Sequence, residues 1–340
     1  MNDDQYIKDK KGNSRRISYL LLLLLLTGVF LSTSTYAWFT TNRLVSVDMI
    51  NVKVQTEGSL EISVDGFNFK AGVTEAEIKD AHTGNYPSSV NQLPAYIEPV
   101  STVGNLDNNG FMEMYYGNIT SNSNGDYIIV SEKSTETESN GEESDGKFVA
   151  FDLFLRTSST KDLYLTNESK VTYNGEYSTG IENAIRLAFV IEGHTRMDSD
   201  ITTIQNLRSN NSENVYIWEP NYNTHTITGI SHAKEVYGLT ISQNTTDRVL
   251  YDGIKNTFGE SENITFDIAN STNYPDYFSA VTPKIITTND NSEYQYFMLL
   301  EEGITKVRVY LWLEGQDVDC ENGASVGDLS FSLQFSTNPA

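Results

Sequence analysis

One cysteine, seven prolines and four histidines are all that the 340 residues contain of these types. With Cys320 alone, no disulfide can form within the chain, so stability outside a reducing compartment must come from a packed core. The thiol itself has two readings, a link between chains or a buried inert group. Scarce proline beside 20 tyrosines and 15 phenylalanines suits sheets rather than disorder. Few histidines leave little room for zinc. Only His225 and His232 lie close together, with Glu235 following, and these three would serve a metal only if their segment folded back on itself. Gly229 between them and the lack of a neighbouring cysteine favour two structural histidines. There is no HExxH, no GxSxG elbow and no glycine-rich phosphate loop.

Basic residues are scarce too. Residues 1–37 hold five of the 23 Lys and Arg and three of the 46 Asp and Glu, so the remainder carries 18 against 43, a net of −25. Clustered cations are what bind nucleic acid or anionic lipid, and none are present, so neither is expected as a partner. The acidic balance favours solubility and attracts divalent cations without dictating a fold.

Long apolar runs are limited to one. Lys8, Lys10, Lys11, Arg15 and Arg16 lead into Tyr19 to Leu31, a 13-residue apolar stretch, followed by Thr35-Tyr36-Ala37-Trp38-Phe39-Thr40. Charge, a short apolar core and small residues before a cut are the parts of a secretory signal. The core falls short of the roughly 20 residues that span a bilayer. Cleavage after Ala37 is therefore favoured over an anchor spanning 17–39, and either way the bulk of the chain lies outside the cytoplasm. The membrane is a partner only through this segment.

The exported part, 38–340, reads as one β-sandwich domain. Leu329, Phe331, Leu333 and Phe335 alternate with Ser330, Ser332 and Gln334, a strand with one wet face. Thr305, Val307, Val309, Leu311 and Leu313 form one face of another, with Lys306, Arg308, Tyr310, Trp312 and Glu314 as a polar and aromatic opposite face. Val149, Phe151, Leu153 and Leu155 mark a third. Leu44 to Val54 alternates through Val45, Val47 and Met49, then changes phase at Ile50, Val52 and Val54, which predicts a bulge or a change of sheet. Short helices are expected over Thr74–Asp80, over 200–208 capped by Asp198 or Ser199, and over Ile230–Tyr237. Segment 131–147 has almost nothing but polar and charged residues and reads as an exposed acidic loop. Many strands, polar loops and little helix predict an all-β fold, a jelly-roll-like antiparallel sandwich with a few short helices in insertions.

Two places are candidates for chemistry. The stretch 314–323 gathers Glu314, Asp317, Asp319 and Glu321 with two glycines between strong strands, an oxygen-rich loop of the kind calcium takes, although its spacing is not that of an EF-hand. Calcium is the one candidate ion; no organic cofactor and no catalytic residue is expected. Tyr310 and Trp312 offer rings that stack on sugars if exposed, or pack between layers if not.

The junction Thr35-Tyr36-Ala37-Trp38-Phe39-Thr40 resembles the signal region of the TasA/camelysin family of Gram-positive bacteria, where a Leu-rich core ends in a T-Y-A-[YFW]-F-[ST] stretch cut by a dedicated peptidase. Asn42 stands where an acidic residue is common. Segments 184–193 and 304–319 also resemble uncharacterised exported relatives. The resemblance implies a jelly-roll domain displayed on the cell surface or assembled into matrix fibres, with itself or related matrix proteins as partners. In such fibres the mature N-terminal segment completes a sheet in the next subunit, a role that falls here to 38–54, with Leu44, Val45, Val47 and Met49 as its apolar positions. The same residues are equally the first strand of their own domain. No zinc-protease motif supports the protease activity described for camelysin members. Two other functions remain open: an adhesin or carbohydrate-binding module using Tyr310 and Trp312, and a secreted hydrolase working through His225 and His232 or through the 314–321 carboxylates.

Overall fold

The computed structural model describes Tyr19 and residues 45–55, 59–134, 136, 146–175, 178–243, 249–265, 269–285, 294–320 and 328–338. Ala37, Leu44 and Glu321 lie outside these residues, as do the side chains of Met49, His232 and Glu235. The chain order opens with β1 (Val45–Val54), β2 (Glu61–Ser63), β3 (Gly72–Thr74), β4 (Tyr96–Ile97), β5 (Pro99–Val100), β6 (Met114–Ser121), β7 (Tyr127–Ser134) and β8 (Val149–Thr157). It continues with β9 (Lys161–Thr166), β10 (Lys170–Tyr173), β11 (Ile185–Thr195), β12 (Val215–Trp218), β13 (Asp252–Ile254), β14 (Phe278–Ala280), β15 (Tyr294–Leu300), β16 (Gly303–Glu314) and β17 (Asp328–Ser336).

Two sheets form a mainly-β sandwich. The first runs β15-β9-β17-β1-β3, with β10 also on β17 and β4 also on β1; the second runs β12-β11-β16-β8-β2, with β5 also on β16. Their facing sides share one apolar cluster, because alternate residues of each strand point the same way. Val52 and Val54, Leu163 and Leu165, and Leu329 to Phe335 come from the first sheet; Val149 to Leu155, Leu187, Phe189 and Val307 to Leu313 come from the second. Phe189 bridges them, its ring 4.8 Å from Phe297 and 6.1 Å from Phe335. Two pairings depart from an all-antiparallel arrangement: β1 runs parallel to β17, and β5 parallel to β16.

The change of phase in β1 is a bulge. Asp48 pairs with Ser330 and Ile50 with Phe331, so Met49 is the one extra residue. That residue lets Val45 and Val47 before it, and Ile50, Val52 and Val54 after it, all enter the core. β1 lies between β17 on one side and β3 and β4 on the other, so it is an interior strand of its own sheet.

The three short helices fall where capping residues put them. In α1 (Glu75–Lys79), Thr74 and Glu77 form a capping box. In α2 (Ile201–Gln205) the cap is Asp200, whose Oδ1 accepts from Thr203 N at 2.9 Å, rather than Asp198 or Ser199. In α3 (Ile227–Tyr237), Thr226 caps three residues earlier than expected, and Gly238 ends the helix at φ +67.

The strand read as having a polar outer face is different in kind: every residue of β16 is buried. Its outer side is roofed by a second apolar cluster that includes Val100, Met112, Met114, Phe148, Val215, Ile217, Tyr251 and Val281 around Tyr310 and Trp312. The acidic segment also differs from a fully exposed loop. It begins as the end of β7, and Glu136 turns inward with its side chain 5% exposed.

If Met49 only absorbs the change of phase, its deletion leaves a regular ladder with the same residues facing inward. The variant lacking Met49 is expected to retain cooperative thermal unfolding. Val52→Asp, which buries an unpaired charge, is expected to cost about 4 kcal/mol in a denaturant titration.

Candidate functional site

Charged residues inside apolar strands define the site. On the outer side of the second sheet, β16 contributes Lys306, Arg308, Tyr310, Trp312 and Glu314, β8 contributes Asp152, and β11 contributes Arg186 and Glu192; all eight are buried. Register sets Asp152 opposite Arg308 and Arg186 opposite Trp312, while Ala150 and Ala188 flank Tyr310 from the two sides. Small neighbours leave room for the Tyr310 ring, which separates two ionic groups.

The first group centres on Asp152. Arg308 Nη1 donates to Asp152 Oδ1 at 2.7 Å, Lys306 Nζ lies 3.3 Å from Oδ2, and the Tyr86 hydroxyl donates to Oδ2 at 2.7 Å. Arg308 also donates to the Glu136 carboxylate and to the Val90 carbonyl at 3.0 Å. Tyr310 donates its hydroxyl to Glu136 and accepts from Met112 N at 3.1 Å. Burial works against the Asp152 carboxylate, but Lys306 and Arg308 outweigh it and hold the group well below the usual carboxylate range. Nearby Glu192, paired with Arg208 at 3.2 Å, is pushed up to about 7 by burial.

The second group centres on Arg186. Its guanidinium pairs with Glu219 at 2.7 Å and with Asp317, and donates to the carbonyls of Asn183 and Ile185 at 2.9 and 3.1 Å. Glu314 accepts from Trp312 Nε1 and from Gln316 N, each at 3.0 Å, and burial pushes it up to about 7. Asp319 accepts from Thr226 N and Oγ1, each at 2.8 Å, and lies 2.8 Å from His225 Nδ1. Burial opposes a charged His225, yet Asp319 raises its affinity for a proton. Gly229, in the first turn of α3, is required here: a Cβ would stand 2.3 Å from Asp319 Oδ1.

This geometry relocates the sequence candidates. Glu314, Asp317 and Asp319 do come together, but inward, where Arg186 and His225 neutralise Asp317 and Asp319 and Trp312 meets Glu314. Among the described residues, no group of three or more His, Cys, Asp and Glu side chains is placed to hold a metal ion. Tyr310 and Trp312 are fully buried, so they offer no platform for a sugar. His225 is 3% exposed and committed to Asp319. Cys320 is a buried thiol in the main core. The sequence reading passed over Asp152, Arg186, Glu192 and Glu219. Their signal was a lone charge within an apolar strand, as in Val149–Thr157 (VAFDLFLRT) and 184–193 (AIRLAFVIEG).

No protein-family model matches the chain, and neither a curated protein nor a solved structure matches it significantly. Among the described residues, no helix is long and apolar enough to cross a membrane.

Closed off from solvent, these groups hold layers together rather than meet a ligand. Removing one partner strands the others: Asp152→Ala leaves Lys306 and Arg308 buried without their shared anion, and about 3–5 kcal/mol of stability should be lost, read by urea unfolding. Stability should also depend on pH in a definite direction. Below about pH 4.5, Glu314 is protonated whether folded or not; between about 4.5 and 7 the folded form keeps a proton that the unfolded form has released. Folding stability therefore falls by about 3 kcal/mol across that window from Glu314 alone. Glu192 and His225, both raised, add to the fall as pH rises. Glu314→Gln should flatten the profile over pH 4.5–7 when unfolding is followed at each pH.

Proposed function

We propose that this chain is a non-enzymatic structural subunit of a bacterial envelope or matrix, exported by its N-terminal segment, that associates through strand addition. The observation that carries this reading is the outer edge of β15. Three of the four end strands in the two main sheets are short: β2 and β3 have three residues each and β12 has four. Such short edges offer little to an incoming strand. β15 has seven residues, Tyr294-Gln295-Tyr296-Phe297-Met298-Leu299-Leu300, with no charge, no proline and no glycine. It pairs with β9 on one side and with no strand on the other among the described residues. Tyr296 and Leu299 are 52% and 54% exposed, and Tyr164 on β9 packs against Tyr296 at 5.8 Å.

Since β1 is held on both sides, a donor that includes Val45 and Val47 would have to leave the middle of its own sheet. The donor in this reading is the seven-residue segment 38–44, which ends at Leu44 and matches β15 in length, about 23 Å when extended. Main-chain bonds to β15 supply the affinity, and the side chains of Trp38 and Phe39, on opposite faces of the added strand, supply the register. The resemblance to the TasA/camelysin signal region agrees with export and assembly.

Light scattering and electron microscopy on the chain beginning at Trp38 test this. Concentration-dependent oligomers or filaments are expected, and they should be lost both in a chain beginning at Val45 and in Leu299→Lys, which charges the free edge without touching the core. A chain beginning at Trp38 that stays monomeric at every concentration and pH defeats the proposal.

A further inference from the structure

Lys306 and Asp152 meet diagonally across adjacent antiparallel strands, β16 and β8, with Nζ 3.3 Å from Oδ2 and side chains 2% and 0% exposed. Arg308 divides between Asp152, at 2.7 Å, and Glu136, while Glu192 answers Arg208. Lys306 has Asp152 as its carboxylate partner and also donates to the Gln205 carbonyl at 2.9 Å. The rings of Tyr86 and Phe154 stand 5.6 and 5.9 Å from Nζ and keep the pair dry. Two opposite charges held out of water carry a desolvation cost that a neutral amide in the same place does not.

We propose that Lys306 and Asp152 condense to an isopeptide bond, a covalent tie between β16 and β8. The Lys306 nitrogen, after giving up one proton, attacks Asp152 Cγ; the Nζ–Cγ bond forms and the Cγ–Oδ2 bond breaks. Of the three ammonium protons, one stays on the amide nitrogen and two depart with Oδ2 as water, so the charges cancel and no electron is transferred to or from the protein. Arg308, 2.7 Å from Oδ1, stabilises the negative oxygen of the tetrahedral intermediate, and Tyr86, 2.7 Å from Oδ2, assists the departing oxygen. The proton passes from Nζ to Oδ2, 3.3 Å away. In a chain that can form no internal disulfide, this tie would hold the centre of the second sheet.

Peptide mapping of the denatured full chain by mass spectrometry decides the matter. The expected product is one branched peptide containing both Lys306 and Asp152, lighter by one water than its two linear parts together. Lys306→Arg should return the Asp152 peptide to its linear form. Should that variant fail to fold, the wild-type map still stands alone: linear Lys306 and Asp152 peptides from folded protein overturn the proposal.

Discussion

Everything on the outer side of the second sheet follows from a strand that is buried along both faces. β16 turns Val307, Val309, Leu311 and Leu313 to the sandwich core and Lys306, Arg308, Tyr310, Trp312 and Glu314 to the other side. An apolar row is satisfied by any well-packed neighbour. A charged row is not: each cation or anion covered by protein must find its counterpart within hydrogen-bond reach. Asp152 and Glu136 meet that demand at one end, and Arg186, Gln316 N and Trp312 Nε1 meet it at the other. The insertions that roof the face are thereby tied to particular residues of the sheet. Glu136, Tyr86, and the pair Glu219 and His225 come from three different connecting segments, and each ends on this one surface or on the turn that follows it.

Much of the sandwich was legible in the residues because a sheet with one wet face writes its orientation as alternation. β17 is the plain case, and the phase change of β1 points to a bulge or a change of sheet, of which the structure has the bulge. The helices are legible more coarsely: Asp200 caps α2 in place of Asp198 or Ser199, and Thr226 starts α3 three residues early. What alternation does not carry is what lies beyond the second face. In β16 a polar row reads the same whether it meets water or a buried partner 100 residues away in sequence. So Tyr310 and Trp312 are left between a sugar platform and a place between layers, the 314–321 carboxylates read as a calcium loop, and Glu136 reads as part of an exposed loop. The pairings that correct this, Arg308 with Asp152 and Arg186 with Asp317, are long-range and have no local signature. The clearest local hint was the isolated Arg186 or Asp152 within a run of large apolar residues.

The two ionic groups differ in how they are balanced. Around Asp152, Lys306 and Arg308 outweigh burial and hold the free carboxyl well below the usual carboxylate range. Around Arg186, carboxylates outnumber cations: Glu219, Glu314, Asp317 and Asp319 share Arg186 and His225. The excess is relieved by protons, which is why Glu314 and Asp317 are both raised by burial and why the turn after β16 belongs to the part of the molecule most responsive to acidity.

That turn ends at Cys320, 1% exposed and packed in the main core one residue beyond the carboxylate that accepts from Thr226, the cap of α3. A thiol so placed reacts with an alkylating reagent only while the turn is open. Its labelling rate, at reagent concentrations high enough to capture every opening, is the opening rate itself, and at low concentrations it reports the equilibrium population of the open form. The single cysteine of this chain is therefore a built-in kinetic probe for the region where α3, the carboxylate turn and the end of β16 meet.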